Sequence, residues 1–228
     1  GFSLASLFNF PLEIAAGIIL IGSSPSGLAS NVMAYLAKAN IALSVTLTAV
    51  ATLVAPIMTP FLMKTLAGSF VPIDFIAMMT SIFKIVIVPV LLGLVFNYFF
   101  HGKAKWLDKA MPIISMAGIG FIIMIITAAG RDDLLSIGLL LILAAIIHNL
   151  LGYVFGYWGC RIFGMKEQDC RTIAFEVGMQ NGGLATGIAL EMGKISTVGL
   201  APAIFGPWMN ISGSSLATWW RDKEPKKK

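Results

Sequence analysis

Apolar residues dominate this chain in long, nearly uncharged runs, and polar residues gather between those runs or at two places inside them. A bilayer core about 30 Å thick takes about 20 mostly apolar residues per crossing helix. Seven segments meet that demand, at about 11–38, 41–63, 75–100, 110–130, 134–160, 172–193 and 197–220. The runs are too continuously apolar for the alternating strands of a membrane β-barrel, so the pattern predicts an all-α membrane protein. Two runs are interrupted, the first at Ser23-Ser24-Pro25-Ser26-Gly27 and the sixth at Gly178-Met179-Gln180-Asn181-Gly182-Gly183. Both are predicted to be broken helices.

Composition agrees. Of 228 residues, 57% are hydrophobic and 12% charged, and mean hydropathy is +0.88. Soluble domains run nearer a quarter charged, which excludes a soluble enzyme, a nucleic-acid binder and a disordered chain. The net charge of +5 is therefore informative by position. One side of the predicted membrane collects twelve Lys and Arg: Lys38, Lys103, Lys105, Lys109, Arg161, Lys166, Arg171, Arg221, Lys223 and Lys226–Lys228. The other side collects Lys64, Arg131 and Lys194. The positive-inside rule then places the C-terminus in the cytoplasm and Gly1 outside. Cys160 and Cys170 fall on the cytoplasmic side, where thiols stay reduced, and make neither a disulfide framework nor a metal-ligand spacing. The chain opens Gly-Phe-Ser with no basic, then apolar leader, so no signal peptide is expected and the start is not expected to be the natural one.

The sequence repeats itself weakly. Ser26-Gly27-Leu28-Ala29-Ser30 resembles Gly182-Gly183-Leu184-Ala185-Thr186 at an offset of 156, and Lys38 falls on Lys194 at that offset. The matched spans are the first and sixth, five apart, so they run in opposite directions. That is the signature of an inverted-topology repeat, frequent among secondary transporters. A five-span repeat matching spans one and six predicts ten spans, three of them before Gly1.

Unwound backbone at membrane depth survives only beside protein or a wet cavity. Around the first break stand Ser30 and Asn31, then Ser44 and Thr48, which share a helix face four residues apart. Before the second break stands Glu176, and a carboxylate inside a span is expensive and usually functional. Hydroxyls, amide oxygens, freed carbonyls and one carboxylate suit a small hard cation such as sodium, and nitrogen or thiolate ligands for a transition metal are lacking. For Ser30, Asn31, Ser44 and Thr48, ion ligation and ordinary interhelical hydrogen bonding both remain open. Glycines spaced Gly178-x-x-x-Gly182 and Gly183-x-x-x-Gly187 read as close helix packing, and His148-Asn149 as a helix–helix hydrogen-bonding pair. Lys84 lies inside a span, paired, cavity-facing or snorkelling. The twelve methionines read as packing and the basic tail as a topology signal.

Three stretches carry a resemblance: Ser24–Lys38 continuing through Ala42–Thr48, Glu176-Val177-Gly178-Met179-Gln180-Asn181-Gly182-Gly183-Leu184-Ala185, and Asn210–Thr218. They resemble the bile acid:sodium symporter family, and the similarity runs through essentially the whole chain. The resemblance implies a ten-helix fold of two inverted repeats, divided into a core and a panel domain, with two broken helices crossing in the core. This chain would supply helices four to ten: core helices over 1–67, panel helices over 73–130, core helices over 134–221 and a cytoplasmic basic tail over 222–228. It implies two co-transported sodium ions. One would be held by Ser30, Asn31, Ser44, Thr48 and Glu176. The other would be held by Glu176, Gln180 and the carbonyls of Val177 and Met179, with a further ligand from a helix outside this chain. Asn181 and Asn210 would face the substrate. Two departures stand out: Leu28 replaces a hydroxyl residue of the family's bacterial members, and Met209 replaces a histidine of similar members. Both make the substrate cavity less polar.

The expected function is therefore sodium-coupled symport of an organic anion such as a bile acid, by alternating access, in the inner (plasma) membrane. The alternatives are a proton-coupled or uncoupled transporter of the same fold, or a passive channel. Enzymatic activity is not expected, since no paired acids, metal site or nucleophile–base pair accompanies Glu176 or His148.

Overall fold

The computed structural model describes residues 1–100 and 105–223, and among them every regular element is helical. After the short α1 (Phe2–Leu7), the first interrupted run folds as α2 (Leu12–Gly22) and α3 (Ala29–Leu36). Next comes α4 (Ile41–Ala67), begun by Asn40, whose Oδ1 accepts from the Leu43 N–H. A single apolar stretch contains α5 (Phe75–Ile82), a π-helical turn (Phe83–Ile87) and α6 (Val88–Phe100). Then follow α7 (Lys105–Ala129) and α8 (Arg131–Ile162), the second broken pair α9 (Glu167–Gly178) and α10 (Gly182–Glu191), and α11 (Leu200–Arg221).

Among the described residues, three helices are long and apolar enough to cross a membrane, at Ile41–Ala67, Phe75–Phe99 and Arg131–Ile162. The chain is accordingly a multi-pass membrane protein. The half-helices α2, α3, α9 and α10 have 11, 8, 12 and 10 residues. At 1.5 Å per residue they rise only roughly 12 to 18 Å each, so none reaches across alone. Buried backbone must find partners, and the two breaks supply them to each other. The Gly27 N–H donates to Met179 O (3.0 Å) and the Asn181 N–H to Pro25 O (2.7 Å), which sets Ser26 opposite Gln180 in an antiparallel bridge. A side chain on Gly27 would begin 3.1 Å from Gln180 O, tighter than an ordinary contact.

The core lies around this crossing. α2 is buried on every side, from Ile14 to Ile21, as expected of a helix apolar all round. α8 and α9 make the most extensive helix pair, and small residues permit it: a Cβ on Gly152 would stand 2.8 Å from Gly178 Cα. By contrast α5 to α7 leave many apolar side chains exposed, among them Ile76, Leu91, Leu94, Ile113 and Phe121.

The charges are less simply arranged than the topology count assumed. Arg171, counted as a loop cation, is buried. Its Nε donates to Glu167 Oε1 (3.1 Å), its Nη1 to Ala37 O (3.1 Å) and Trp220 O (3.0 Å), and its Nη2 to Lys223 O (3.1 Å). Helix ends leave carbonyls without intrahelical donors, and one guanidinium serves those of α3 and α11 together. Lys194 pairs with Glu13, which also accepts from Thr197. Lys84 sits exposed on the π-helical turn and makes no ion pair among the described residues. Cys160 and Cys170 are buried free thiols. Of the cations counted toward topology, Lys103 and Lys226–Lys228 lie outside the described residues, as does the tail from 224 onward.

Candidate functional site

Two polar clusters flank the crossing. On one side Glu176, at the end of α9, points its carboxylate between α3 and α4. Its Oε1 accepts from Ser30 Oγ (2.6 Å) and Ser44 Oγ (2.6 Å), and its Oε2 from Thr48 Oγ1 (2.8 Å). Asn31 Oδ1 lies 2.8 Å from Ser44 Oγ and 3.2 Å from Thr48 Oγ1. Ser30 Oγ also reaches Gly27 O (2.8 Å). All of Ser30, Ser44, Thr48 and Glu176 are buried, and no Lys or Arg pairs with Glu176 among the described residues.

The proton count of this cluster is revealing. Each hydroxyl carries one proton, so Ser30, Ser44 and Thr48 bring three. Each hydroxyl nevertheless touches two acceptors: Ser30 the carboxylate and Gly27 O, Ser44 and Thr48 the carboxylate and Asn31 Oδ1. The acceptors outnumber the hydroxyl protons around a buried carboxyl group that, when ionised, has no cationic side chain to meet its charge. Such a charge is costly to bury unpaired. Six oxygens from five side chains on α3, α4 and α9, plus Gly27 O, form a donor set suited to a small hard cation.

On the other side the sequence-predicted second set is only partly assembled. Gln180 Oε1 faces His148 Nε2 (2.9 Å), and Met179 O is occupied by the Gly27 N–H. Val177 O loses its helical donor, because the Asn181 N–H goes to Pro25 O. The Val177 side chain itself is exposed, while that of Met179 is buried.

Of the substrate-facing candidates, Leu28 and Asn181 line one cavity of about 320 Å³ with Ser26, Thr48, Ile85, Val86, Pro89 and Val90. Asn181 also caps α10, accepting from the Leu184 N–H (3.0 Å). α3 begins at Leu28 without a side-chain cap. Asn210 and Met209 are elsewhere: Asn210 is exposed on α11 with its amide donating to Gly206 O (3.0 Å), and Met209 is buried.

Several contacts went unread in the sequence. Thr59 Oγ1 donates to Ser23 O (2.8 Å) and Ser24 Oγ to Leu20 O (2.9 Å), holding the first break. Ser44, Thr48, Thr52 and Thr59 form a polar stripe down one apolar helix, the signal that would have found Thr59. Ser26 Oγ is buried at the bridge with no partner among the described residues. Asn149, expected to hydrogen-bond between helices, does so: its Nδ2 donates to Gly178 O (2.8 Å).

The sodium bile acid symporter family model matches residues 1–137. The chain belongs to that family. It is 41% identical over 227 residues to the uncharacterized sodium-dependent transporter YocS of Bacillus subtilis (strain 168), covering 99% of this chain and 70% of that protein. It is 35% identical over 225 residues to the probable chloroplastic sodium/metabolite cotransporter BASS1 of Arabidopsis thaliana, covering 99% of this chain and 56% of that protein. A probable chloroplastic BASS5 cotransporter of the same plant is 32% identical over 230 residues, covering 98% of this chain and 56% of that protein. The chain thus spans little more than half the length of these plant relatives. The family is one of sodium-dependent membrane transporters.

Proposed function

We propose that this chain forms the sodium-binding part of a sodium-coupled symporter for an organic anion. The observation that carries the reading is the Glu176 cluster, where buried acceptor oxygens exceed the protons that serve them. Sodium, as co-transported substrate, takes Ser30, Asn31, Ser44, Thr48 and Glu176 at this position and neutralises the carboxylate. A second sodium takes Glu176, Gln180 and the carbonyls of Val177 and Met179, completed by a helix outside this chain. The anion lies in the cavity beside Leu28 and Asn181, where α3 and α10 both begin. Helix N-termini favour negative charge, and the unpartnered Ser26 hydroxyl adds a donor there. Leu28 is exposed and brings no hydroxyl, so the anion presents an apolar face on that side.

The seven spans of this chain correspond to helices four to ten of an inverted ten-helix repeat, with α1–α4 and α8–α11 as the core and α5–α7 as the panel. Sodium and anion favour the same arrangement of the crossing, which couples their binding. Motion of the core against the panel then gives alternating access. The C-terminus lies in the cytoplasm and the membrane is the plasma membrane. Neither catalysis nor passive conduction is part of this reading.

The test is uptake by the full-length protein in proteoliposomes, with candidate anions first screened by thermal shift with and without sodium. Concentrative uptake driven by an inward sodium gradient, lost in Gln180→Ala, is the expected result. Uptake that follows a pH gradient and ignores sodium makes Glu176 a proton carrier instead. Flux that never becomes concentrative under any gradient makes the protein a channel.

A further inference from the structure

α8 is an apolar helix of 32 residues with a polar patch at its middle, His148-Asn149 and Tyr153. The contact of Gly152 against Gly178 brings this patch against the break between α9 and α10. Asn149 is fully buried. Its Nδ2 donates to Gly178 O (2.8 Å), and its Oδ1 accepts from Ser212 Oγ on α11 (2.6 Å). One residue earlier, the His148 ring bridges two groups. Its Nδ1 lies 3.1 Å from the Gly1 nitrogen and its Nε2 lies 2.9 Å from Gln180 Oε1. Gln180 Oε1 can only accept, so the ring proton sits on Nε2. His148 therefore donates to the Gln180 carbonyl oxygen, which leaves that oxygen one free lone pair.

The break is held from two directions, and they do different things. From the α3 side, Pro25 and Gly27 fix only backbone, at Asn181 N and Met179 O. From the α8 side, Asn149 fixes Gly178 O and His148 fixes the Gln180 side chain. A glutamine side chain has three rotatable bonds, and holding it in one rotamer costs conformational entropy. We propose that His148 is the positioning residue for the second sodium site: its Nε2–H presents the Gln180 oxygen to the ion already oriented, and Asn149 steadies the adjoining backbone. This is the relation that groups behind metal ligands bear to the ligands they orient, where loss costs about 10- to 100-fold in affinity. The proposal rests on the reading of Gln180 as a sodium ligand.

The experiment titrates sodium against the purified full-length protein and against its uptake in proteoliposomes, comparing His148→Leu, His148→Gln, Gln180→Ala and the parent. Two readouts are taken: the sodium concentration giving half of the sodium-induced rise in melting temperature, and the sodium dependence of uptake separated into half-saturating concentration and maximal rate. In His148→Leu the half-effect concentration should rise about tenfold and the sigmoidicity of uptake should fall, with the maximal rate at saturating sodium and the sodium-free melting temperature close to the parent. His148→Gln, which keeps an N–H donor, should recover most of the shift. Unchanged half-effect concentrations in His148→Leu overturn the proposal. So does an equal shift in His148→Leu and His148→Gln, which makes the residue merely structural. If His148→Leu fails to fold, His148→Gln against the shorter His148→Asn carries the same contrast, and equal values overturn it. Gln180→Ala separates the two ideas: if it keeps the parent's sodium dependence, the second site itself is wrong; if it loses that dependence while both His148 variants keep it, only the positioning role fails.

Discussion

The two sides of the helix crossing differ in kind. Around Glu176 the partners are hydroxyls from two helices, short of protons and wrapped about a carboxylate. Around Gln180 the partners are N–H donors from α8, matched one to one with carbonyl oxygens. The first arrangement has more acceptors than hydroxyl protons and no cationic side chain, and under the proposed reading a cation completes it. In the second, each donor from α8 meets one carbonyl oxygen while Val177 O is left without its helical donor, and its work is that of a frame, to hold backbone and side chain where the helix has stopped holding them.

The sharpest way to break this comparison is Glu176→Gln, which keeps the shape and removes the charge. Sodium-driven uptake should be abolished while the protein still folds, since the hydroxyls retain an acceptor; preserved uptake would mean that the carboxylate is structural. The frame is tested by Gly152→Val. A Cβ there begins 2.8 Å from Gly178 Cα and 3.1 Å from Val177 O, so α8 must move off α9 at a cost of about 1–3 kcal/mol. Thermal unfolding in detergent should show the loss, and an unchanged melting temperature would mean that the frame is slack. A smaller effect is expected of Ser44→Ala, which removes one charge-assisted hydrogen bond and one oxygen. Half-saturating sodium should rise about tenfold, the equivalent of about 1.4 kcal/mol, and a change in stability alone would place Ser44 in the frame. Smallest is Ser212→Ala, which takes one neutral donor from Asn149. About 1 kcal/mol of stability should go with sodium dependence untouched; a sodium shift here would blur the two sides into one network.

Much of this was readable beforehand. The spans anticipated over 41–63 and 134–160 fold as Ile41–Ala67 and Arg131–Ile162, because hydrocarbon demands long apolar runs and polar flanks end them. Both breaks lie where Ser, Pro, Gly and Asn interrupt such runs. Ser44 and Thr48 share a face because four residues make about one helical turn. Other features had no local signature. Arg171 reads as a loop cation because a charge is normally solvated; its burial depends on helix ends that meet only in the fold. His148 and Gln180 are 32 residues apart on different helices, and Glu13 and Lys194 lie 181 apart. Met209 and Asn210 stand beside a recognisable motif, yet they are not among the residues that line the cavity with Leu28 and Asn181.

By itself the sequence determined the solvent, the all-helical class, the two breaks and the supply of oxygen-bearing side chains around them, since each follows from local composition and period. Tertiary structure decided which oxygens share a proton, which carbonyls are already taken, and that His148 reaches Gln180. Those are outcomes of helices approaching through Gly152 and Gly178, and close approach is a property of pairs of surfaces rather than of any run of residues.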